Sequence, residues 1–97
     1  ISCEVIDLRT LSPMDSAAVV NSVRRTGRCV IVQEAPRTCG VAAELIARIN
    51  EEALLSLEAP VVRVTAPDIV VPLPQGEHYY YLNANRIYDA VKRVAAF

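Results

Sequence analysis

Three side chains have types and positions that could do chemistry. Glu34 lies where an apolar run, Cys29-Val30-Ile31-Val32, gives way to a turn. A carboxylate there could serve as a general base. It could equally pair with Arg37 or cap the helix that follows. Cys39 stands between that run and a helical pattern starting at Val41. A helix amino end could lower its pKa and favour the thiolate. His78 is the only histidine, beside Glu77 in a proline-rich stretch. None of the three has the neighbours its chemistry needs. A triad requires a base and an orienting acid, and a zinc site requires several converging ligands. The structural readings are therefore favoured: a paired or capping Glu34, an unreactive Cys39 and a solvated His78. Gly40 is alone, so neither the dinucleotide nor the P-loop pattern is met. The Tyr79-Tyr80-Tyr81 run reads as packing rather than stacking. No catalytic, cofactor-binding or metal-ligating residue is assigned.

The elements around these side chains follow from period and punctuation. The stretch from Gln33 to Gly40 is a strand-to-helix turn. In open α/β sheets such turns sit at the carboxyl ends of strands, where ligands gather. Ala35 precedes a proline, which pushes it towards extended backbone and ends the strand. Gly40 permits a close approach before the helix begins. Residues 3–8, CEVIDL, read as a first strand. Ser12, Pro13 and Asp15 read as a helix start with Ser12 as the cap. Arg24 and Arg25 suit the carboxyl end of that helix, and Gly27 is its left-handed stop. Residues 28–33 form the second strand; four successive apolar residues imply a sheet covered on both faces, hence parallel. A second helix spans about 41–55, with Leu45, Ile46 and Ile49 on one face and a Glu44–Arg48 pair on another. Residues 61–65 form a third strand. A long connection follows through Pro67, Pro72, Pro74 and Gly76, then an extended aromatic segment at 79–82. The last helix begins near Asn83 to Asn85, packs Ile87, Val91 and Val94 inward, and pairs Asp89 with Arg93.

The order strand, helix, strand, helix, strand, loop, helix predicts a three-layer α/β/α architecture with a mostly parallel sheet and right-handed crossovers. The chain has 97 residues, 53% of them apolar and 22% charged, with a net charge of −1. That supports one folded domain or part of one, and excludes disorder. A balance of 10 basic and 11 acidic residues carries no footprint for nucleic acid or for an anionic membrane. No apolar run approaches the ~20 residues of a membrane span. Three cysteines, without Cys-x-x-Cys, favour a reduced compartment over a disulfide scaffold. The chain opens on Ile1 with neither initiator Met nor leader, so it reads as a piece of something longer.

Three stretches carry a resemblance: EVIDLRTLSPMD, SVRRTGRCVIVQEAPRTCGVAAELIARI and LEAPVVRVTAPDIVVPLP. Together they resemble the carboxyl-terminal domain of the beta subunit of 2-oxo acid dehydrogenase first components, with acetoin dehydrogenase close by. The resemblance runs from Glu4 to Phe97. Two departures stand out. The family usually has a second glycine where this sequence has Cys39, and often an aromatic where it has Met14.

The resemblance implies a transketolase carboxyl-terminal-like fold, present here as one partial domain, residues 1–97. It implies oxidative decarboxylation of pyruvate or a branched-chain 2-oxo acid, with acyl transfer to lipoyl-lysine. Thiamine diphosphate and Mg would be bound outside this region. The implied partners are the rest of the beta chain, an alpha subunit and a second beta subunit in a two-alpha two-beta tetramer, and the peripheral-subunit-binding domain of the dihydrolipoyl acyltransferase. Docking of that last partner would use acidic groups and the carboxyl end. Phe97 is the first candidate; Glu58 and Asp68 follow by charge and loop position. The setting would be a bacterial-type cytoplasm or a mitochondrial matrix, not the secreted space. The resemblance also puts the sheet's central strand before the segment matching Glu4 to Arg9, so it is missing here. A buried strand of about four apolar side chains at ~1.5–3 kcal/mol each contributes roughly 6–12 kcal/mol. That is comparable to a whole domain's ~5–15 kcal/mol. The first two strands should then stay unpaired with each other, with another polypeptide filling the gap. Two other readings stand beside this one: a non-catalytic α/β interaction module, and a small independent enzyme using Glu34 or Cys39.

Overall fold

A parallel pair of strands carries the fold. In the computed structural model, which describes residues 1–97, β1 (Val30–Pro36) runs parallel to β2 (Val62–Ala66). Val30 stands opposite Val62 and Val32 opposite Val64, with an irregularity between Gln33 and Pro36. The crossover is α2 (Val41–Ala53), extended by a 3-10 turn at Leu54–Ser56. α1 (Ser16–Thr26) precedes β1, and α3 (Glu77–Tyr80) and α4 (Ala84–Ala95) follow β2. The expected α/β layering with a parallel sheet is present, on two strands.

The core lies between α1, α2 and one face of the sheet. Val19, Val20 and Val23 of α1 meet Leu45, Ile49 and Ala53 of α2. Leu8, Met14, Cys29, Ile31, Leu57 and Val61 pack against that cluster. Strand alternation accounts for Cys29 and Ile31 sharing a face. Val64 and Ala66, of opposite parity to Val61, are buried outside the cluster, as are Ala90 and Val94 of α4. The helix ends follow local chemistry. Gly27, at φ 72°, closes α1 by donating its N–H to the Val23 carbonyl at 2.8 Å. Asn83 caps α4, its side chain accepting the Arg86 N–H at 2.9 Å. The Glu44–Arg48 pair forms at 2.8 Å.

Five expectations need correction. Residues 3–8 form no strand. With no ladder partner their backbone is left to water, and Val5 is 89% exposed. Glu4 ties the segment to α1, accepting from Ser22 Oγ at 2.6 Å and from Arg25, and Leu8 packs against the core. The segment does not pair with β1. Second, α1 starts at Ser16 with Asp15 as its cap, because the Asp15 carboxylate accepts the Ala18 N–H at 3.2 Å. Ser12 and Pro13 belong instead to a tight turn closed by a Leu11–Met14 bridge. Third, β1 continues through Ala35 and Pro36. The extended backbone that proline imposes on its neighbour is also strand backbone. Fourth, the aromatic segment turns: α3 buries Tyr80 and leaves Tyr79 79% exposed. One helical turn lets a single ring of the run pack inward. Fifth, no Asp89–Arg93 pair forms among the four ion pairs present. An exposed pair gains too little to fix two long side chains.

The chain is a slab 43 × 32 × 19 Å with a radius of gyration of 14.0 Å. A compact domain of this length has about 12.5 Å. Fifteen of 97 residues are buried, while Ile1, Val5, Leu55, Val70 and Leu73 are each more than 80% exposed. So much uncovered apolar surface is what an incomplete sheet leaves behind.

Candidate functional site at the carboxyl edge of the sheet

Both strands end at one edge, and two loops leave from it. Gln33 organises the first. Alternation puts it on the same face as Cys29 and Ile31, turned towards α2. A half-buried polar side chain there must find partners. Its Oε1 accepts the Ala42 N–H at 2.7 Å, and its Nε2 donates to the carbonyls of Pro36 at 2.7 Å and Ala35 at 3.3 Å. Gly40, the N-cap residue of α2, offers no side chain to the free N–H groups of the helix end. Gln33 supplies that contact from the strand.

Cys39 completes the turn at φ 58°. Left-handed backbone costs a non-glycine residue ~1–2 kcal/mol. The family resemblance puts a glycine at this position. Cys39→Gly is expected to raise stability by about 0.5–1 kcal/mol, since glycine's extra freedom in the unfolded chain offsets part of the relief. A higher urea midpoint at unchanged m-value would verify this.

Asp68 ties the second loop to the first. Its Oδ1 accepts the Thr38 N–H at 2.9 Å and its Oδ2 the Thr38 hydroxyl at 2.5 Å. The hydroxyl bond first, then the backbone bond, hold the Asp68 carboxyl below its ordinary value, with the Arg37 charge adding to them. A depressed carboxyl stabilises the fold above its unfolded pKa of about 3.9, and that contribution is lost as pH falls through the folded value. The expected result is a Thr38 amide protected from hydrogen exchange at neutral pH and released only as pH falls through the lowered Asp68 value, beneath the ordinary ~3.9. Asp68→Ala should remove the protection at every pH.

Between the loops lies a cleft of about 410 Å³, lined by Arg37, Thr65, Asp68, Tyr79 and Arg86 among others. Arg86 Nη2 donates to the Thr65 carbonyl at 2.6 Å, so α4 is pinned to the end of β2. The cleft offers guanidinium groups and a phenol, with no nucleophile and no free base. None of Glu34, Cys39 and His78 lines it. Glu34 is exposed, with no ion pair to Arg37 and no bond to the start of α2. Cys39 is exposed. His78 is exposed too, its ring 4.0 Å from that of Tyr79. Cys29 is half-buried, and burial pushes its thiol up, away from reactivity. No three His, Cys, Asp or Glu side chains gather as ligands for a metal ion.

The three residues considered for docking separate into two groups. Arg28 joins the first. It pairs with Glu58, and its Nε donates to the Val94 carbonyl at 3.2 Å. Glu58 therefore lies at the same end of the molecule as the end of α4 and Phe97, which is 74% exposed. Asp68 stands beyond the other end of β2, with both carboxylate oxygens engaged by Thr38. Sequence reasoning missed Gln33 as the organiser and Thr38 as the partner of Asp68. Gln33 had a readable signal, a polar residue at a core-facing strand position. The Thr38–Asp68 contact spans thirty residues of chain and had none.

Comparison with known proteins gives a consistent picture. The family model described as "Transketolase, C-terminal domain" matches residues 1–87. Over 97 residues the chain is 47% identical to the pyruvate dehydrogenase E1 component subunit beta of Bacillus subtilis (strain 168), covering 100% of this chain and 30% of that protein. It is 47% identical over 95 residues to the protein of the same description from Acholeplasma laidlawii, covering 98% of this chain and 29% of that protein. A Staphylococcus aureus (strain N315) counterpart is 48% identical over 96 residues, covering 99% of this chain and 30% of that protein. The chain thus spans about 30% of the length of these relatives.

Proposed function

The chain belongs to the transketolase C-terminal domain family, and from that membership we propose that it is the matching part of the beta subunit of a pyruvate-type 2-oxo acid dehydrogenase, serving assembly and docking. The observation that carries this reading is 47% identity over the chain's full length to a pyruvate dehydrogenase E1 component subunit beta. In the whole enzyme, a 2-oxo acid would lose carbon dioxide and its acyl group would pass to lipoyl-lysine. Thiamine diphosphate supplies the carbanion chemistry when bound. The residues present here do not fit its Mg ion, since no three ligating side chains converge, so no step is routed through it. Cofactor and substrate belong to the rest of the assembly, in this reading. The partners are the remainder of the beta chain, an alpha subunit, a second beta subunit and the acyltransferase. The uncovered apolar side chains support subunit contacts. No helix is long and apolar enough to cross a membrane, and a cytoplasmic or matrix setting fits the reading.

Docking of the acyltransferase is assigned to the end where Phe97 and Glu58 lie. Phe97 offers an exposed ring, and aromatic anchors dominate such contacts. Asp68 is a weaker candidate, because Thr38 already occupies it. The test is Phe97→Ala in the complete enzyme. Decarboxylation measured with an artificial electron acceptor should be unchanged. Affinity for the acyltransferase should fall roughly tenfold. Loss of decarboxylation in an intact assembly would overturn the reading, and so would unaltered affinity.

A further inference from the structure

Four of the chain's arginines gather on one flank without a carboxylate partner. The ion pairs of the molecule use Arg9, Arg25, Arg28 and Arg48. Arg37, Arg63, Arg86 and Arg93 form none. Instead they line two adjoining clefts. The first, of about 410 Å³, holds Arg37 and Arg86. The second, of about 370 Å³, holds Arg63, Arg86 and Arg93, so Arg86 is common to both. Arg63 Nη1 donates to the Arg37 carbonyl at 3.3 Å, which links the two ends of the row. The acids in the clefts are Asp68 and Asp89. Asp68 is engaged by Thr38. A local excess of two positive charges thus sits on a chain whose net charge is −1.

The spacing selects among anions. Arg86, Asp89, Ala90 and Arg93 share one face of α4, at helical intervals. Arg86 and Arg93 are seven residues apart, about 10 Å along the axis. A single phosphate cannot bridge that span. A polyproline II segment rises about 3.1 Å per residue with three residues per turn, so acidic side chains three residues apart share one face and match that span. Guanidinium groups engage carboxylates in bidentate fashion. Arg86 gives one of its five N–H groups to Thr65 and keeps the others.

We propose that this arginine-lined groove along β2 and α4 is a docking surface for an acidic segment of polypeptide in polyproline II conformation, with carboxylates about three residues apart.

The experiment uses the full-length protein in its native assembly and a fluorescent synthetic peptide of repeated Glu-Gly-Ser triplets. Anisotropy at low salt should register binding that weakens as salt rises. Arg93→Glu should weaken it roughly tenfold. Lys92→Glu changes net charge equally on the neighbouring residue, whose ammonium lies 5.5 Å over the Tyr88 ring. It should leave affinity within about twofold. If Arg93→Glu does not fold, Arg63→Gln serves in its place, with a loss in the same direction. The proposal is overturned if the peptide does not bind, or if Lys92→Glu weakens it as much as Arg93→Glu. It is also overturned if inorganic pyrophosphate displaces the peptide at equal concentration, which would mark a small-anion site.

Discussion

Replacing Gly40 by alanine is expected to destabilise the domain by about 2–3 kcal/mol, although the backbone there suits any residue. Gly40 has φ −84° and ψ 164°, ordinary extended values. The difficulty is space. A Cβ would lie 2.1 Å from Gln33 Nε2, 2.5 Å from Oε1 and 2.6 Å from Cδ. No Cβ tolerates such distances, so the amide must leave. It can, being the far end of a flexible chain, but its hydrogen bonds to Ala42, Pro36 and Ala35 go with it. Each is worth about 0.5–1.5 kcal/mol net, and the freed N–H at the start of α2 loses a partner. The cause can be isolated by a double-mutant cycle. Gln33→Ala alone should cost about 2 kcal/mol through the same lost bonds. Gly40→Ala added to Gln33→Ala should cost almost nothing more, because the space is then empty. The two changes would be coupled by about 2 kcal/mol, as expected of residues in direct contact. Additive losses from urea midpoints would mean that the turn does not depend on this clamp.

Local signals were legible and long-range ones were not. Gly27 was readable as a left-handed stop because only the chain's own backbone decides that conformation. The Glu44–Arg48 pair was readable because a helix fixes the spacing. Residues 3–8 have strand composition and yet form none, since a strand exists only with a ladder partner. Composition describes the segment; it does not supply the neighbour. The tyrosine run has β-type residues, but it has no ladder partner, and a helical turn buries Tyr80. At the carboxyl edge, attention fell on Glu34 for its charge, whereas the alternation of β1 puts Gln33, one residue earlier, on the packed face. Function followed a different route. Nothing in the residue chemistry of this chain points to a 2-oxo acid; the family came from three long motifs, and Cys39 shows what such a comparison adds. Cys39, where the resemblance leads one to expect glycine, sits at φ 58°, so the departure has a measurable backbone cost.

Ile49→Ala should be the most damaging single truncation in the chain, with a loss of about 2–5 kcal/mol. Ile49 is 1% exposed and stands among Val19, Val20, Val23, Leu45 and Ala53. A well-packed site relaxes only in part, so a cavity penalty adds to the lost transfer energy. Leu55, six residues on, is 99% exposed. Leu55→Ala should change stability by less than about 0.5 kcal/mol. The contrast matters because both residues are large and apolar, one in α2 and one in the 3-10 turn that extends it. Hydrophobicity alone would rank them alike; burial separates them. With so few buried side chains, there is little else to absorb the loss at Ile49. For a domain of ~5–15 kcal/mol such a loss is a large share of its stability. Chemical denaturation of the two variants side by side decides the matter. Equal losses would mean that Leu55 is covered in solution, whereas a large loss at Ile49 alone would locate the domain's cooperativity in the α1–α2 seam.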